Sequence, residues 1–369
     1  MHRLPPNSAS SLSAFSALGW VRANLFSSWS NTLLTLLGLW VSYFVIWSVL
    51  EWAVFTAVFT GEDGAACRVP GAGACWPFVV AKLKVFMYGR YPVAELWRVN
   101  LTYILAIAGL VPLMLPGVKG KLWIAIYCFV VFPILAYFLL TGAEWLGLRN
   151  VPTSRWGGLL VTLVVACVGI AASFPIGVIL ALARRSDLPL IKWSSIVFIE
   201  FVRGVPLVTV LFFASVMLPL FLPENVTFDK LLRALIGVAL FSAAYLAEVV
   251  RGGLQAIPRG QFEAADALGL NYVQKMGLIV LPQALKLVIP GIVNSFIALF
   301  KDTSLVLIIG LFDLLGIVQQ AVSSDAKWFS PQTAATGYVF AAFVFWIFCF
   351  GMSRYSAWLE RRLHTGHRS

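Results

Sequence analysis

Between Glu263 and Pro282 the chain reads EAADALGLNYVQKMGLIVLP. This polar, helix-forming stretch lies between two strongly apolar segments, LLRALIGVALFSAAYLAEVV (231–250) and LVIPGIVNSFIALF (287–300). Pro258 suits a first helical turn, where its missing N–H costs nothing. The helix GQFEAADALG then places Phe262, Ala265 and Leu268 on one side at three-residue spacing, with Glu263 and Asp266 pointing elsewhere. Glu263 near the N-terminal end is favoured by the helix dipole. Ala264 and Ala265 leave room for close approach of another surface. Gly269 stands where a helix C-terminus favours a left-handed residue. Asn271 and Gln274 form an N-cap pair for a second helix, and Pro282 and Pro290 mark turns or kinks beyond it. The stretch reads as a rigid helix-turn-helix prong held by two spans, built to be contacted from outside the membrane.

Chains of this composition do not fold in water. Of 369 residues, 60% are hydrophobic and 12% charged, whereas soluble chains run near a quarter charged; mean hydropathy is +0.89. Several stretches are apolar over the roughly 20 residues that a helix needs to cross a bilayer. Runs such as LLVTLVVACVGIAASFPIGVILALA (159–183) do not alternate as barrel strands do. The expected fold is therefore all-α and integral to the membrane, with about eight transmembrane helices. They are placed near Thr32–Thr56, Val99–Leu115, Leu122–Thr141, Trp156–Ala183, Ser195–Leu222, Leu231–Val250, Leu287–Gly310 and Tyr338–Ala357.

Basic residues set the expected orientation. Arg184, Arg185, Lys192, Arg251, Arg259, Lys275 and Lys286 face the cytoplasm on this count, and so do both termini. The net charge of +11 is then a topology signal, and nucleic acid is not expected as a partner because no basic run is interleaved with exposed aromatics. One loop resists: the stretch Gly61–Trp97, placed outside, carries Arg68, Lys82, Lys84 and Arg90. Its WPFVVAKLKVFMYG part is read as an amphipathic helix on the outer surface. The expected division is an interfacial segment over 1–31, with no secretory signal, and a three-span extension over 32–150 with its external loop at about 61–97. A core over 151–358 follows, with the polar loop at about 251–286, and a basic tail over 359–369. Packing and assembly are the expected role of the extension.

An ionisable group inside the membrane costs about 3 kcal/mol even on permissive scales. Glu248 with Arg251, and Glu200 with Arg203, stand three residues apart and are read as local ion pairs, the second beside a break at Gly204-Val205-Pro206. Substrate contact is the competing reading for Glu248 and Arg203. Lys301, Asp302, Thr303 and Ser304 interrupt an apolar run, with Asn294 and Ser295 two turns earlier. They are either a structural pair at a bundle interface or part of a pathway for a ligand carrying both charges. Cys67 and Cys75 share the external loop and are candidates for a disulfide, which an oxidising compartment permits. Cys128, Cys167 and Cys349 lie in spans as plain core residues. His2, His364 and His367 all lie in tails, so no metal site is expected. The sequence has no G-x-x-x-x-G-K-[ST] phosphate loop, so no enzyme activity and no cofactor are expected on this chain.

Three stretches carry a resemblance: ALARRSDLPLIKWSSIVFIEFVRGVPLVTVLFF (181–213), AYLAEVVRGGLQAIPRGQFEAADALGL (244–270) and PGIVNSFIALFKDTSLVLIIG (290–310). Over roughly Trp156–Trp358 the chain resembles the ABC-importer permeases of the histidine/glutamine/arginine uptake group. Its prong matches their signature of E-A-A, three residues, Gly, nine residues, Ile-x-Leu-Pro. The extension is similar to that of the larger membrane subunit of general L-amino-acid importers. Val205 departs from the Thr often found in the group. The resemblance implies a five-helix type I permease core in a bacterial inner membrane, moving polar L-amino acids. Glu263, Ala264, Ala265, Gly269 and Pro282 carry over as the ATPase-coupling residues. It also implies a second related permease, an ATPase dimer carrying ATP and Mg, and a periplasmic amino-acid-binding protein as partners in the lipid bilayer. The rival readings are an ion-coupled secondary amino-acid transporter, which would need no ATPase, and an ABC permease for another small solute.

Overall fold

The computed structural model describes residues 17–223 and 228–364. His2, His367, the side chain of His364 and the part of the expected interfacial segment before Ala17 lie outside the described residues. Regular structure among the described residues is helical. The order is α1 (Ala17–Leu25), α2 (Trp29–Phe55), α3 (Trp76–Tyr88), α4 (Val93–Met114), α5 (Lys121–Thr141), α6 (Leu159–Ala183) and α7 (Pro189–Gly204). There follow α8 (Leu207–Phe221), α9 (Lys230–Ala256), α10 (Arg259–Ala267), α11 (272–287), α12 (Ile289–Ile309), α13 (Leu314–Ser324) and α14 (Pro331–His364). Polar side chains start several of them: Ser28 caps α2, Asp229 caps α9 and Asp313 caps α13, each accepting from backbone N–H groups of the first turn.

Seven helices (α2, α4, α5, α6, α9, α12 and α14) are long and apolar enough to cross a membrane. Counted as one span, α7 and α8 bring the total to the expected eight, but they are bent by 105°. The span expected over Ser195–Leu222 is thus neither straight nor correctly bounded. It begins at Pro189 and breaks where Pro206 offers no N–H and Val205 is extended (φ −106, ψ 136), as a residue before proline prefers. The last span is also longer than Tyr338–Ala357, since α14 runs for 34 residues. The short helix α13 was not among the expected elements.

Small residues let α6 and α9 meet at the centre. A Cβ on Gly177 would lie 2.8 Å from that of Leu246, and Ala243, Ala244 and Ala247 are fully buried. In lipid, where apolar burial alone drives helices together weakly, such close approach supplies dispersion contacts instead. Leu299 and Phe300 of α12 pack with Val165 and Ala166 of α6 and Ala234 and Val238 of α9.

Much of the extension packs against the core. Helix α3 packs on the core: its Phe78 and Phe86 are buried against Leu314, Ile317, Val318 and Trp328. Cys67 and Cys75 form a disulfide beside it, with Cα atoms 5.7 Å apart. Arg68 donates to the carbonyls of Ala326 and Phe329 (3.4 and 3.1 Å), Lys82 pairs with Asp325 and the Arg90 guanidinium sits 5.9 Å over the Phe312 ring. Three of the four basic residues that resisted the orientation count therefore fasten this loop to the core. Val99, Leu140 and Val151 likewise share one apolar cluster with Leu160 and Val161, so the hydrophobic core runs across residue 150. By contrast α2 buries nothing in its spanning window. The Trp52 carbonyl accepts from Ala74 N–H (2.8 Å) and the Ala53 carbonyl from the Trp76 indole (2.9 Å).

Candidate functional site, a prong beneath a charge cage

The prong is built as read, with one correction. Gly269 is left-handed (φ +70). Its N–H donates to the Asp266 carbonyl (2.9 Å) and that of Leu270 to the Ala265 carbonyl (3.2 Å), the paired bonds of a Schellman stop. One residue later the Asn271 side chain accepts from Gln274 N–H and the Gln274 side chain from Asn271 N–H (2.9 and 3.1 Å), a reciprocal capping box. Lys275 pairs with Asp266 at 2.6 Å, and Gln283 donates to Gln261 at 3.1 Å, tying α11 back to α10. Ala265 is buried and Phe262 half-buried, but Leu268 is 74% exposed. The helix ends at Ala267, so Leu268 leaves the shared face that its spacing suggested.

The exposed tip carries Glu263, Ala264, Leu268, Tyr272 and Val273. Its inner side is apolar: Met276, Val280 and Ala284 of α11 pack with Val250 and Leu254 of α9. Gly253 makes this seat possible, because a Cβ there would stand 2.6 Å from the Ala284 carbonyl oxygen. Sequence reading missed Gly253, whose need for smallness lies in a partner 31 positions away. Pro282 is exposed near the start of the last segment of α11, and the helix is interrupted at Val288 before Pro290.

Above the prong five charges converge. Glu248 Oε1 is 2.7 Å from Arg184 Nη1, and Glu248 Oε2 is 2.8 Å from Arg251 Nη2 and 3.6 Å from Arg203 Nη1. Glu200 Oε1 is 2.9 Å from Arg184 Nη2, and its other oxygen is 4.0 Å from Arg203. The expected pairs Glu248–Arg251 and Glu200–Arg203 are thus both present within one cage, joined by Arg184, which was read only as an orientation marker. Arg203 also lies 5.7 Å over the Tyr245 ring. The cage ties α6, α7 and α9 together at the break between α7 and α8. Glu248 and Arg203 are both ion-paired within this cage.

The other polar group is more dispersed. Thr303 is buried and its hydroxyl donates to the Phe300 carbonyl at 2.8 Å, closing the turn where α12 tightens over Thr303–Ile309. Lys301 and Asn294 are exposed and Asp302 half-buried. Among the described residues no ion pair joins Lys301 to Asp302. No group of three or more His, Cys, Asp or Glu that could hold a metal is found among them either.

Residues 173–365 match the family described as binding-protein-dependent transport system inner membrane component. The chain belongs to this family. As such an inner membrane component it is a multi-pass membrane subunit of a transport system. It is 52% identical to the inner membrane amino-acid ABC transporter permease protein YhdY of Escherichia coli (strain K12), over 98% of this chain and 97% of that protein. It is 38% identical to the glutamate/glutamine/aspartate/asparagine transport system permease protein BztC of Rhodobacter capsulatus, over 97% and 96%. Both alignments include the extension that the family match leaves out. Among solved structures, one titled as an amino acid ABC transporter with histidines is 29% identical, with a TM-score of 0.47 over 56% of this chain and 92% of that one.

Proposed function

We propose that this inner membrane component is the permease subunit of an ATP-driven importer of polar L-amino acids, with its prong driven by a separate ATPase. The observation that carries the reading is the prong: a helix-turn-helix locked by a Schellman stop, a capping box and the Lys275–Asp266 pair, seated on α9 and offering an exposed tip. A rigid element moves as a unit, so force applied at Glu263, Ala264 or Leu268 reaches the spans without being lost in bending. The full-length relatives named for amino-acid transport support the substrate class. In this reading Glu263, Ala264, Ala265, Gly269 and Pro282 form the coupling element, and ATP and Mg are held by an ATPase dimer.

A second related permease and a periplasmic amino-acid-binding protein complete the assembly, and both termini with the prong face the cytoplasm. The core over 151–358 carries transport and the extension supports assembly. Lys301, Asp302 and Asn294, with groups of both signs on α12, are assigned to the path of the zwitterion. Purification from native membranes, followed by reconstitution, tests the proposal. The expected result is co-purification of a second permease and an ATPase, with uptake that needs ATP and loaded binding protein. Uptake by this chain alone on an ion gradient would replace the reading by a secondary transporter.

A further inference from the structure

Two consecutive arginines end α6, and they hold different parts of the molecule. Arg185 reaches downward: its guanidinium lies 5.6 Å over the Phe262 ring of the prong and donates to the Leu254 carbonyl at 3.0 Å. Arg184 reaches upward, bridging Glu248 on α9 (2.7 Å) and Glu200 on α7 (2.9 Å). A planar guanidinium offers five donors in a rigid fork and can lie flat on a ring while donating in its plane, a geometry that the compact lysine ammonium does not reproduce. The cage holds three arginines against two glutamates, and its contacts are graded. Those to Arg184 and Arg251 are 2.7–3.1 Å, while the two to Arg203 are 3.6 and 4.0 Å. Arg203 is the residue next to Gly204, where α7 gives way to the bend. The cage is firm where it meets α6 and α9 and loose where it meets the break.

We infer that Arg184 and Arg185 are positioning residues that join the prong to the broken span, so that displacement of α10 is delivered through the end of α6 to Glu200, Arg203 and the bend at Gly204–Pro206. This rests on the transport reading above. The apolar seat of α11 on α9 is a parallel connection that also includes Ile199 of α7, and Glu248 and Tyr245 of α9 touch Arg203 directly; the arginine joint is the connection that runs through the end of α6.

The test uses the complete complex in proteoliposomes. Arg185→Ala is expected to lower uptake per ATP hydrolysed at least tenfold, with Arg185→Lys recovering part of the loss. An unchanged ratio, or uptake and hydrolysis falling in proportion, would overturn the joint. A second readout does not depend on what is carried. Spin labels are placed at Val205→Cys and Leu268→Cys in a background lacking Cys128, Cys167 and Cys349. Their separation is expected to stay constant on ATP binding when Arg185 is present and to change in Arg185→Ala. A change of equal size in both would refute the joint, whereas a wild-type complex that imports no amino acid would count only against the proposed function.

Discussion

Arg184 Nη1 stands 2.7 Å from Glu248 Oε1, linking the end of α6 to the interior of α9. Glu248 is 16% exposed at its side chain and answers three guanidinium groups at once. Removing its charge leaves those groups facing one another with only Glu200 between them. Glu248→Gln is expected to destabilise the protein by about 2–3 kcal/mol, below the full value for a deeply buried pair because water reaches the cage. Thermal unfolding in detergent reads this; a variant as stable as the parent would show the cage to be energetically idle.

Gly269 and its surroundings separate backbone strain from crowding. A Cβ there meets nothing within 4 Å, yet φ is +70. Gly269→Val should therefore cost about 1–2 kcal/mol through the backbone alone, loosen the turn of the prong and abolish ATP-coupled uptake with the protein still in the membrane. Gly269→Asn, which tolerates the left-handed region, should retain most activity. Equal uptake by parent and Val variant would remove the turn from the mechanism.

Neighbouring glycines on α9 make a matched pair. Gly253→Ala forces a Cβ against the Ala284 carbonyl, 2.6 Å away, whereas Gly252→Ala meets nothing within 4 Å. Overpacking of this kind costs about 1–3 kcal/mol, so the Gly253 change should lower stability and uptake and the Gly252 change neither. Should the two variants behave alike, the seat of α11 on α9 is not where the prong is held.

The disulfide loop has a chemical test. Alkylation in denaturant without reductant should modify three of the five cysteines, Cys128, Cys167 and Cys349, and all five after reduction. Intact mass distinguishes the two, and five adducts without reductant would contradict the bond. The Cys67–Cys75 link closes a loop with a sequence separation of 8, worth about 2–3 kcal/mol in chain entropy. Its loss should expose the loop between Gly61 and Gly73 to protease.

Asp313, between α12 and α13, gives a pH dependence. Burial pushes its carboxyl up to about 6, although the backbone N–H groups of Gly316 and Leu315 pull it down. An unfolded aspartate titrates near 3.9. The folded state thus binds the proton more tightly, and the stability that Asp313 contributes is full below about pH 4 and lost as pH rises through 6. Asp313→Asn should flatten that fall, by about 1–3 kcal/mol between pH 4 and 7.5. Melting curves that run parallel for parent and variant across this range would exclude the effect.

What could be read beforehand was local. Asn271 and Gln274 sit three apart, and a capping box needs nothing else. The same holds for Gly269 at a helix end and for Glu248 with Arg251 one turn apart. What escaped was set by distant partners. Arg184 joins the cage only because Glu200 on α7 and Glu248 on α9 are both brought to the end of α6, and Gly253 matters only because Ala284 is seated on it. The basic residues of the loop over 61–97 resisted the orientation count, and their partners, the Asp325 carboxylate and the Ala326 and Phe329 carbonyls, lie 243 to 261 positions along the chain. Leu268 failed for a smaller reason, since three-residue spacing holds only while the helix continues.

The length of α14 has a practical corollary. At 1.5 Å per residue its 34 residues measure about 51 Å, against roughly 30 Å of hydrocarbon. Either the rod leans steeply or its final turns clear the lipid, and the Tyr355 hydroxyl, donating to the Met114 carbonyl at 3.3 Å, braces it against α4 near that exit. A fluorophore attached at Arg361→Cys, an exposed position in the final turns, would tell the two apart by whether it reports water or lipid.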